Sequence, residues 1–504
     1  MKDAAAKADA ETAADAAPLD HAGIRAIMFG ILLAMFLSAL EQTIVAPALP
    51  TIGRALADVE NLSWVVTAYL LAATAATPLF GKLADIHGRR RMMLVAVVLF
   101  LLGSAACALA PTIGALIAAR ALQGIGGGGI LPLAHTIIGD MVTPRERPRY
   151  QSYTSIMFLV ASISGPLLGG VLTDYVHWTM IFWINLPLGA FALWMTDRAL
   201  KRLPRNDRPH KLDVLGAALM VLAALSLMLS MTWGGTRYGW SSWPILALLA
   251  ASCALWFLFA LRVATAPEPF IPLSVLREPI VRAITAAGFC SIGTIIGLSI
   301  FLPLYFELVL GFSPSGSGTA LIVFLAAATL GSFLAGRLMI RTAHYTRVPL
   351  AGLALGLLML IAFALKPGGL SLTEVCVLLS IGGTGLGVMY PVTTTIVQNT
   401  VQPHQLGTAT GALNFARQLG GAIIVAAFGT VLIGGIDSGG HGLTLEMLHG
   451  GAARAGGDFA MLFRWVFAAG AGFLAVGLIA VLAIEERPLR GPRKEAAVSP
   501  VAAE

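Results

Sequence analysis

The sequence predicts an all-α integral membrane protein of about fourteen transmembrane helices, and three observations carry that prediction. Apolar runs of about 18 or more residues follow one another along the chain, and a run that long crosses a bilayer as a helix. Charge is scarce: 12% of the 504 residues are charged and 57% hydrophobic, with a mean hydropathy of +0.82. A soluble domain carries about twice that charge fraction. The cations, finally, gather in alternate connections. Lipid offers the backbone no hydrogen-bond partner, so only helices or a closed barrel can span it, and these runs are too long and too continuously apolar for barrel strands.

The elements follow in order. Residues 1–24 are rich in Ala, Asp and Glu and read as a flexible cytoplasmic tail. Helix 1 (about 25–48) has a signal-peptide competitor in Arg25 and the small-residue stretch Ala46-Pro47-Ala48. The embedded Glu41 and Pro47 argue for an uncleaved first helix. Helices 2 to 6 run about 62–83, 91–110, 112–136, 151–172 and 178–197. A basic linker from Arg198 to Lys211 leads to helix 7 (about 213–232) and helix 8 (about 244–262). Six more runs follow at about 283–309, 316–338, 347–365, 372–395, 407–435 and 459–484, then a basic cytoplasmic tail over 485–504. With the amino terminus inside, cytoplasmic segments hold 26 of the 33 Lys and Arg. The outer segments hold Arg54, Arg237, Lys366, Arg454 and Arg464, while Arg120 and Arg417 lie within helices. That bias supports both the helix count and a topology with both termini cytoplasmic.

The net charge of +7 does not point to nucleic acid, because the cations are spread between helices rather than forming one patch. Cys107, Cys253, Cys290 and Cys376 all lie in apolar runs, read as packing residues, and show no disulfide or metal spacing. His441 and His449 sit in a Gly-rich outer loop without ligand spacing, and no metal or other cofactor is expected. Glu307 and Asp174 fall near outer helix ends, where solvation accounts for them.

The stretch Gly81 to Arg91, GKLADIHGRRR, joins helices 2 and 3. Gly88 suits a tight reversal, Asp85 closes one apolar run, and Arg89, Arg90 and Arg91 open the next. Gly81, Leu83, Asp85, Gly88, Arg89 and Arg90 resemble, in register, the signature loop GxLaDrxGrkxxl of the major facilitator superfamily. A faint echo, Ala335-Gly336-Arg337-Leu338, ends a helix in the second half, with Ile340 where the first copy has Asp85. It fits two related six-helix halves, 25–197 and 283–484, with the linker and two inserted helices (198–282) between them. Parallel halves of that kind make up the major facilitator fold.

Glu41 lies inside Ala39-Leu40-Glu41-Gln42-Thr43. A charged, unpaired carboxylate in hydrocarbon costs several kcal/mol, so such a group is neutral, paired or faces a wet cavity. Burial favours the neutral carboxyl and a nearby cation the carboxylate; a group between those pulls can take and release a proton. A structural hydrogen bond to a neighbouring helix, or a place at the outer interface, would also account for it. Glu41 lies roughly 9 Å below the outer end of helix 1 if that helix ends at Pro47, and Arg120 about 12 Å below the same surface. Arg120 keeps its charge and needs an acceptor, so the two are candidate proton-coupling partners.

Helix 4 reads Arg120-Ala121-Leu122-Gln123-Gly124-Ile125-Gly126, with glycines on to Gly129. The formal GxGxxG has no preceding strand and no nucleotide context, and its glycines more plainly allow close helix approach. The RxxQGxG pattern, with Arg120, Gln123, Gly124 and Gly126, resembles the helix-4 motif of drug:proton antiporters, in which the arginine is implicated in proton coupling. Helix 5 carries Gly165-Pro166-Leu167-Leu168-Gly169-Gly170, which resembles the antiporter motif gxxxGPxxGG, with Ala161 at its first glycine. In helix 13 Arg417 lies near the midplane within Asn414-Phe415-Ala416-Arg417-Gln418, a costly place for a cation and a functional candidate by default. Gln42, Tyr390, Asn414 and Arg417 are the candidates for a substrate cavity, with Gln398 beside them.

Three motifs in order and fourteen spans make residues 25–485 resemble the fourteen-helix drug:proton antiporters of the superfamily (the EmrB/QacA type), with Glu41 where that family commonly has aspartate. The resemblance implies a transporter in the cell membrane, not an enzyme: proton-coupled efflux of amphipathic small molecules by alternating access, driven by the proton gradient. Asp85 with Arg89 would latch the inner face. Export or uptake of a specific metabolite or anionic amphiphile is the alternative. The expected partners are a small-molecule substrate, protons and the lipid bilayer, with no nucleic acid, and the chain is expected to be a monomer.

Overall fold

The computed structural model describes residues 21–58, 61–142, 146–201, 212–235, 237–312, 314–341, 346–438 and 456–484. Both terminal tails up to residue 20 and from 485, most of the basic linker, and His441 and His449 lie outside them. Among the described residues fourteen helices are long and apolar enough to cross a membrane. They are α1 (His21–Ala55), α2 (Leu62–His87), α3 (Arg89–Ala108), α4 (Ile113–Met141), α5 (Arg147–Tyr175), α6 (Met180–Leu200) and α7 (Val214–Trp233). Then come α8 (Trp243–Thr265), α9 (Pro279–Leu308), α10 (Pro314–Arg341), α11 (Arg347–Leu365), α12 (Leu372–Thr400), α13 (Leu406–Ser438) and α14 (Gly456–Leu482).

Local chemistry sets several boundaries. Gly88 stands between α2 and α3 with φ 86°, a conformation that only glycine adopts without strain, so the chain reverses there in one residue. The Thr112 side chain accepts from the Ala115 amide and Asp213 from the Gly216 amide, capping α4 and α7. Ser371 and Glu374 cap α12 reciprocally. Several helix ends lie a few residues beyond the sequence expectation, His87 for α2 and Met141 for α4 among them, and α1 and α6 depart from it further. Helix α1, described from His21, runs past Pro47 and Pro50 to Ala55, because Ala48 and Ile52 are buried and packing carries the helix through the prolines. Helix α6 is interrupted at Ile184, which sets off Met180–Trp183 from Asn185–Leu200.

The buried apolar residues form two cores. One runs from Ile27 to Leu200 and the other from Ala217 to Val481. The inserted α7 and α8 contribute Ala217, Met220, Phe259 and Val263 to the second, so they pack as part of the carboxyl-terminal unit. The two units meet along two seams, and each copy of the faint repeat lies on a different one. Gly81 of α2 sits against the backbone of Gly407 and Gly411 on α13, and Gly336 of α10 against that of Pro148 and Arg149 on α5. A side chain at either glycine would collide with main chain, which is why small residues recur there.

Candidate functional site

Glu41 and Arg120 are in contact. Arg120 Nη1 donates to Glu41 Oε1 at 2.5 Å, and the two residues are 0% and 1% exposed. The remaining lone pairs and donors are nearly all engaged. Asn185 Nδ2 donates to Glu41 Oε2 at 2.6 Å, Arg120 Nη1 also reaches Gln123 Oε1 at 2.6 Å, and Arg120 Nε donates to the Val65 carbonyl at 2.8 Å. Gln123 in turn donates to Ser104 at 2.8 Å. Four helices of the first unit, together with α2 through Val65, therefore hold one ion pair. The Tyr69 ring covers the guanidinium at 4.5 Å. An ion pair so buried gains little net stability, while removing one partner leaves a charge stranded at a cost of about 3–5 kcal/mol. Chemically the arrangement is a carboxyl group whose protonation would release its hold on Arg120. Because α1 continues to Ala55, Glu41 lies about 21 Å from that end, not the 9 Å that follows from ending the helix at Pro47.

Beside this pair lies a cavity of about 1140 Å³ between the two units. Helices α1, α2, α4 and α5 line one wall and α9, α10, α12 and α13 the other, with α7 and the turn from Gly234 to Trp240 at its edge. Gln42, Tyr390, Asn414 and Arg417 all line it. Gln398 does not: it is buried beyond the cavity toward the Gly88 end, donating to the His135 carbonyl at 3.0 Å and accepting from Gln151 at 3.2 Å. Glu41 is also absent from the wall. Tyr69 and Ser38 do line it, joined by Tyr69 Oη donating to the Ser38 carbonyl at 3.3 Å, and Tyr69 covers the Arg120 end of the pair.

Arg417 sits at the cavity wall, 2% exposed, with its guanidinium 4.2 Å from the centre of the Tyr390 ring. Its Nη2 donates to Thr393 Oγ1 at 2.5 Å, Thr394 Oγ1 at 2.8 Å and the Tyr390 carbonyl at 2.9 Å. Its Nη1 reaches Asn414 Oδ1 at 3.1 Å. Tyr390 Oη also meets His135 Nε2 at 3.2 Å across the seam.

Toward the Gly88 end the cavity is closed. Asp85 receives the amide of Gly407 at 3.0 Å, the amide of Thr408 at 2.6 Å and the Thr408 hydroxyl at 2.6 Å. It thus caps the amino-terminal end of α13, where free N–H groups and the positive pole of the helix favour a carboxylate. Arg89 holds Asp85 at 2.6 Å and Asp140 of α4 at 3.0 Å. Arg90 is not at this seam. The next residue on a helix points about 100° away, and Arg90 pairs with Asp197 of α6 at 2.5 Å inside the first unit. Further bonds cross between the units: Thr74 to Gln418 at 2.8 Å and Ser155 with Ser332 at 2.6 Å.

The motif glycines divide by the face they occupy. Gly165 and Gly169 abut Thr43 and Ile44 of α1, the turn that follows Glu41, whereas a Cβ on Gly170 would meet nothing within 4 Å and Pro166 is exposed. Gly124 packs on Tyr69 and Ala72, and Gly126 on Ala96 and Phe100, so helix α4 is wedged between α2 and α3. Sequence reasoning missed Tyr69, His135 and Asn185. The last two are polar side chains in apolar helices, and the rule that singled out Glu41 would have found both. No sequence signal distinguishes Tyr69.

The comparisons with known proteins agree with this architecture. The family model described as Major Facilitator Superfamily matches residues 31–425. Two uncharacterized MFS-type transporters of Mycobacterium tuberculosis are 35% identical over 82% of this chain, which spans 59% of their length. Multidrug resistance protein 3 of Bacillus subtilis is 31% identical over 83% of this chain and 81% of its own. Multidrug transporter protein MdtP of the same organism is 32% identical over 81% and 75%. Among solved structures, the proton:xylose symporter XylE shares the fold at a TM-score of 0.60 and 14% identity, covering 92% of this chain and 95% of that one. A bacterial homologue of the iron transporter ferroportin, in an outward-facing state, does so at 0.61 and 12%, covering 90% and 98%. Seams, cavity and sequence matches together assign this multi-pass membrane protein to the major facilitator superfamily of transporters.

Proposed function

We propose that this chain is a proton-coupled exporter of amphipathic small molecules in the cell membrane, working by alternating access. The observation that carries the reading is the Glu41–Arg120 pair, fully buried beside the central cavity yet absent from its wall, which Tyr69 and Ser38 line. With the cation-rich Gly88 end taken as cytoplasmic, the bonds at Asp85 and the cavity beyond it support reading the conformation as outward-facing. A proton entering from that side neutralises Glu41 and loosens Arg120. Ser38 lies one turn before Glu41 on α1, and Gly165 and Gly169 seat the following turn on α5, so a change at the pair is passed to the cavity wall. Release of the Asp85 bonds to α13 then opens the cytoplasmic side, where the proton leaves and substrate enters. The multidrug names of the Bacillus relatives support export rather than uptake.

Reconstituted protein under an imposed pH gradient tests this. Export predicts that substrate moves against the direction of proton flow. Movement of substrate with protons would make the chain an uptake symporter, and movement indifferent to the gradient would refute coupling.

A further inference from the structure

The cavity contains a charge that nothing in the protein balances. Of its described lining residues Arg417 is the one charged side chain, and no Asp or Glu joins it. Glu41, the acid that would attract a cation, is fully buried and committed to Arg120 and Asn185. All the hydrogen-bond partners of Arg417 are neutral: two threonine hydroxyls, one amide oxygen and one backbone carbonyl. Its Nε–H has no acceptor, and Nη1, which carries two hydrogens, is given one. A guanidinium keeps its charge, and a buried charge without a counter-ion is costly. Arg120, buried to the same degree, has a carboxylate at 2.5 Å.

We propose that the missing counter-ion is supplied by the substrate: the cargo is an amphipathic organic anion. Its carboxylate or sulfonate docks on Arg417 beside Asn414, and its apolar body lies along Ile292, Ile295, Ile296 and Phe301 of α9, on the same wall. A planar guanidinium with spare donors matches a two-oxygen acid, and the Tyr390 ring behind it fixes the orientation of the fork. Lipophilic cations are disfavoured by the same charge. This assignment rests on the transport reading above, because it takes the cavity to be the substrate site.

A head-group series tests it: 1-pyrenebutanoic acid, 1-pyrenebutanol and 4-(1-pyrenyl)butyltrimethylammonium share one apolar body and differ in charge. Binding of each to the full chain in lipid nanodiscs is followed by pyrene fluorescence, with empty nanodiscs subtracting partition into lipid. The acid is expected to bind at least about tenfold more tightly than the ammonium compound, the gain of one charge-assisted contact. Arg417→Gln is expected to close the gap between acid and alcohol, and Arg417→Lys to keep part of it. An ammonium probe that binds as well as the acid, or an acid preference that survives in folded Arg417→Gln, overturns the proposal. If the glutamine variant does not fold, the wild-type ranking decides alone. Binding is measured without a pH gradient, so a failure of proton coupling leaves this result standing, and a reversed ranking leaves coupling standing.

Discussion

Asp85→Asn is the sharpest perturbation of the gate. The carboxylate accepts three hydrogen bonds from the start of α13, two of them from the backbone amides of Gly407 and Thr408. An asparagine keeps one accepting oxygen and turns an NH2 group toward the other donor. One charge-assisted bond, about 1.5–3 kcal/mol, is lost, together with the favourable charge at a helix amino-terminal end, about 0.3–1 kcal/mol. Removing about 2–4 kcal/mol from the closed side moves the inward/outward equilibrium about 30- to 1,000-fold. Nitroxides at His87→Cys and Gln402→Cys, both exposed beside the gate, report it through double electron–electron resonance. The background needs Cys253 and Cys376 replaced, since neither is buried. A population at longer distance is expected in the variant. An unchanged distance distribution would show that Asp85 does not hold the gate, whatever its hydrogen bonds.

Other outcomes follow from the same geometry. Gly169→Ala drives a Cβ into the Ile44 carbonyl and is expected to destabilise by about 1–3 kcal/mol, seen as a lower unfolding midpoint in intrinsic fluorescence. Gly170→Ala meets nothing and is expected to be neutral or to stabilise by about 0.5–1 kcal/mol; equal losses at both positions would contradict the packing described. Tyr69→Phe keeps the ring over Arg120 and is expected to keep proteoliposomes proton-tight. Tyr69→Ala removes that ring from the cavity wall and is expected to let protons leak without substrate, measured with an entrapped pH dye. A tight Tyr69→Ala protein would mean that another group seals the pair.

The fold was legible because its determinants are local. Run length fixes the spans, Gly88 fixes the reversal, and the placement of Lys and Arg suggests the sidedness. Packing motifs were legible too, since Gly81 and Gly169 must be small wherever a neighbouring backbone comes close. What escaped the sequence was partnership across helices. Depth arithmetic set Glu41 near Arg120 although α1 extends well beyond Pro47, and it gave no hint that Asn185 would satisfy the second carboxylate oxygen. Arg89 and Arg90 are adjacent in the chain and serve different contacts, one at the seam and one within a unit. Gln398 and Tyr390 lie eight residues apart on α12, yet the cavity reaches only Tyr390, because its closed end falls between them. Such distinctions depend on how helices cross, which periodicity does not encode.

The central claim is that Glu41 is the proton-carrying group. Glu41→Gln keeps the side-chain shape and an oxygen for Arg120 while removing the titrating proton. It is measured in proteoliposomes carrying the transported probe, with an imposed pH gradient and a pH dye reporting proton movement on substrate addition. The wild-type chain is expected to accelerate substrate movement with the gradient and to move protons when substrate is added. Glu41→Gln is expected to lose both responses while still binding substrate. A Glu41→Gln protein that transports with full gradient dependence would contradict the account.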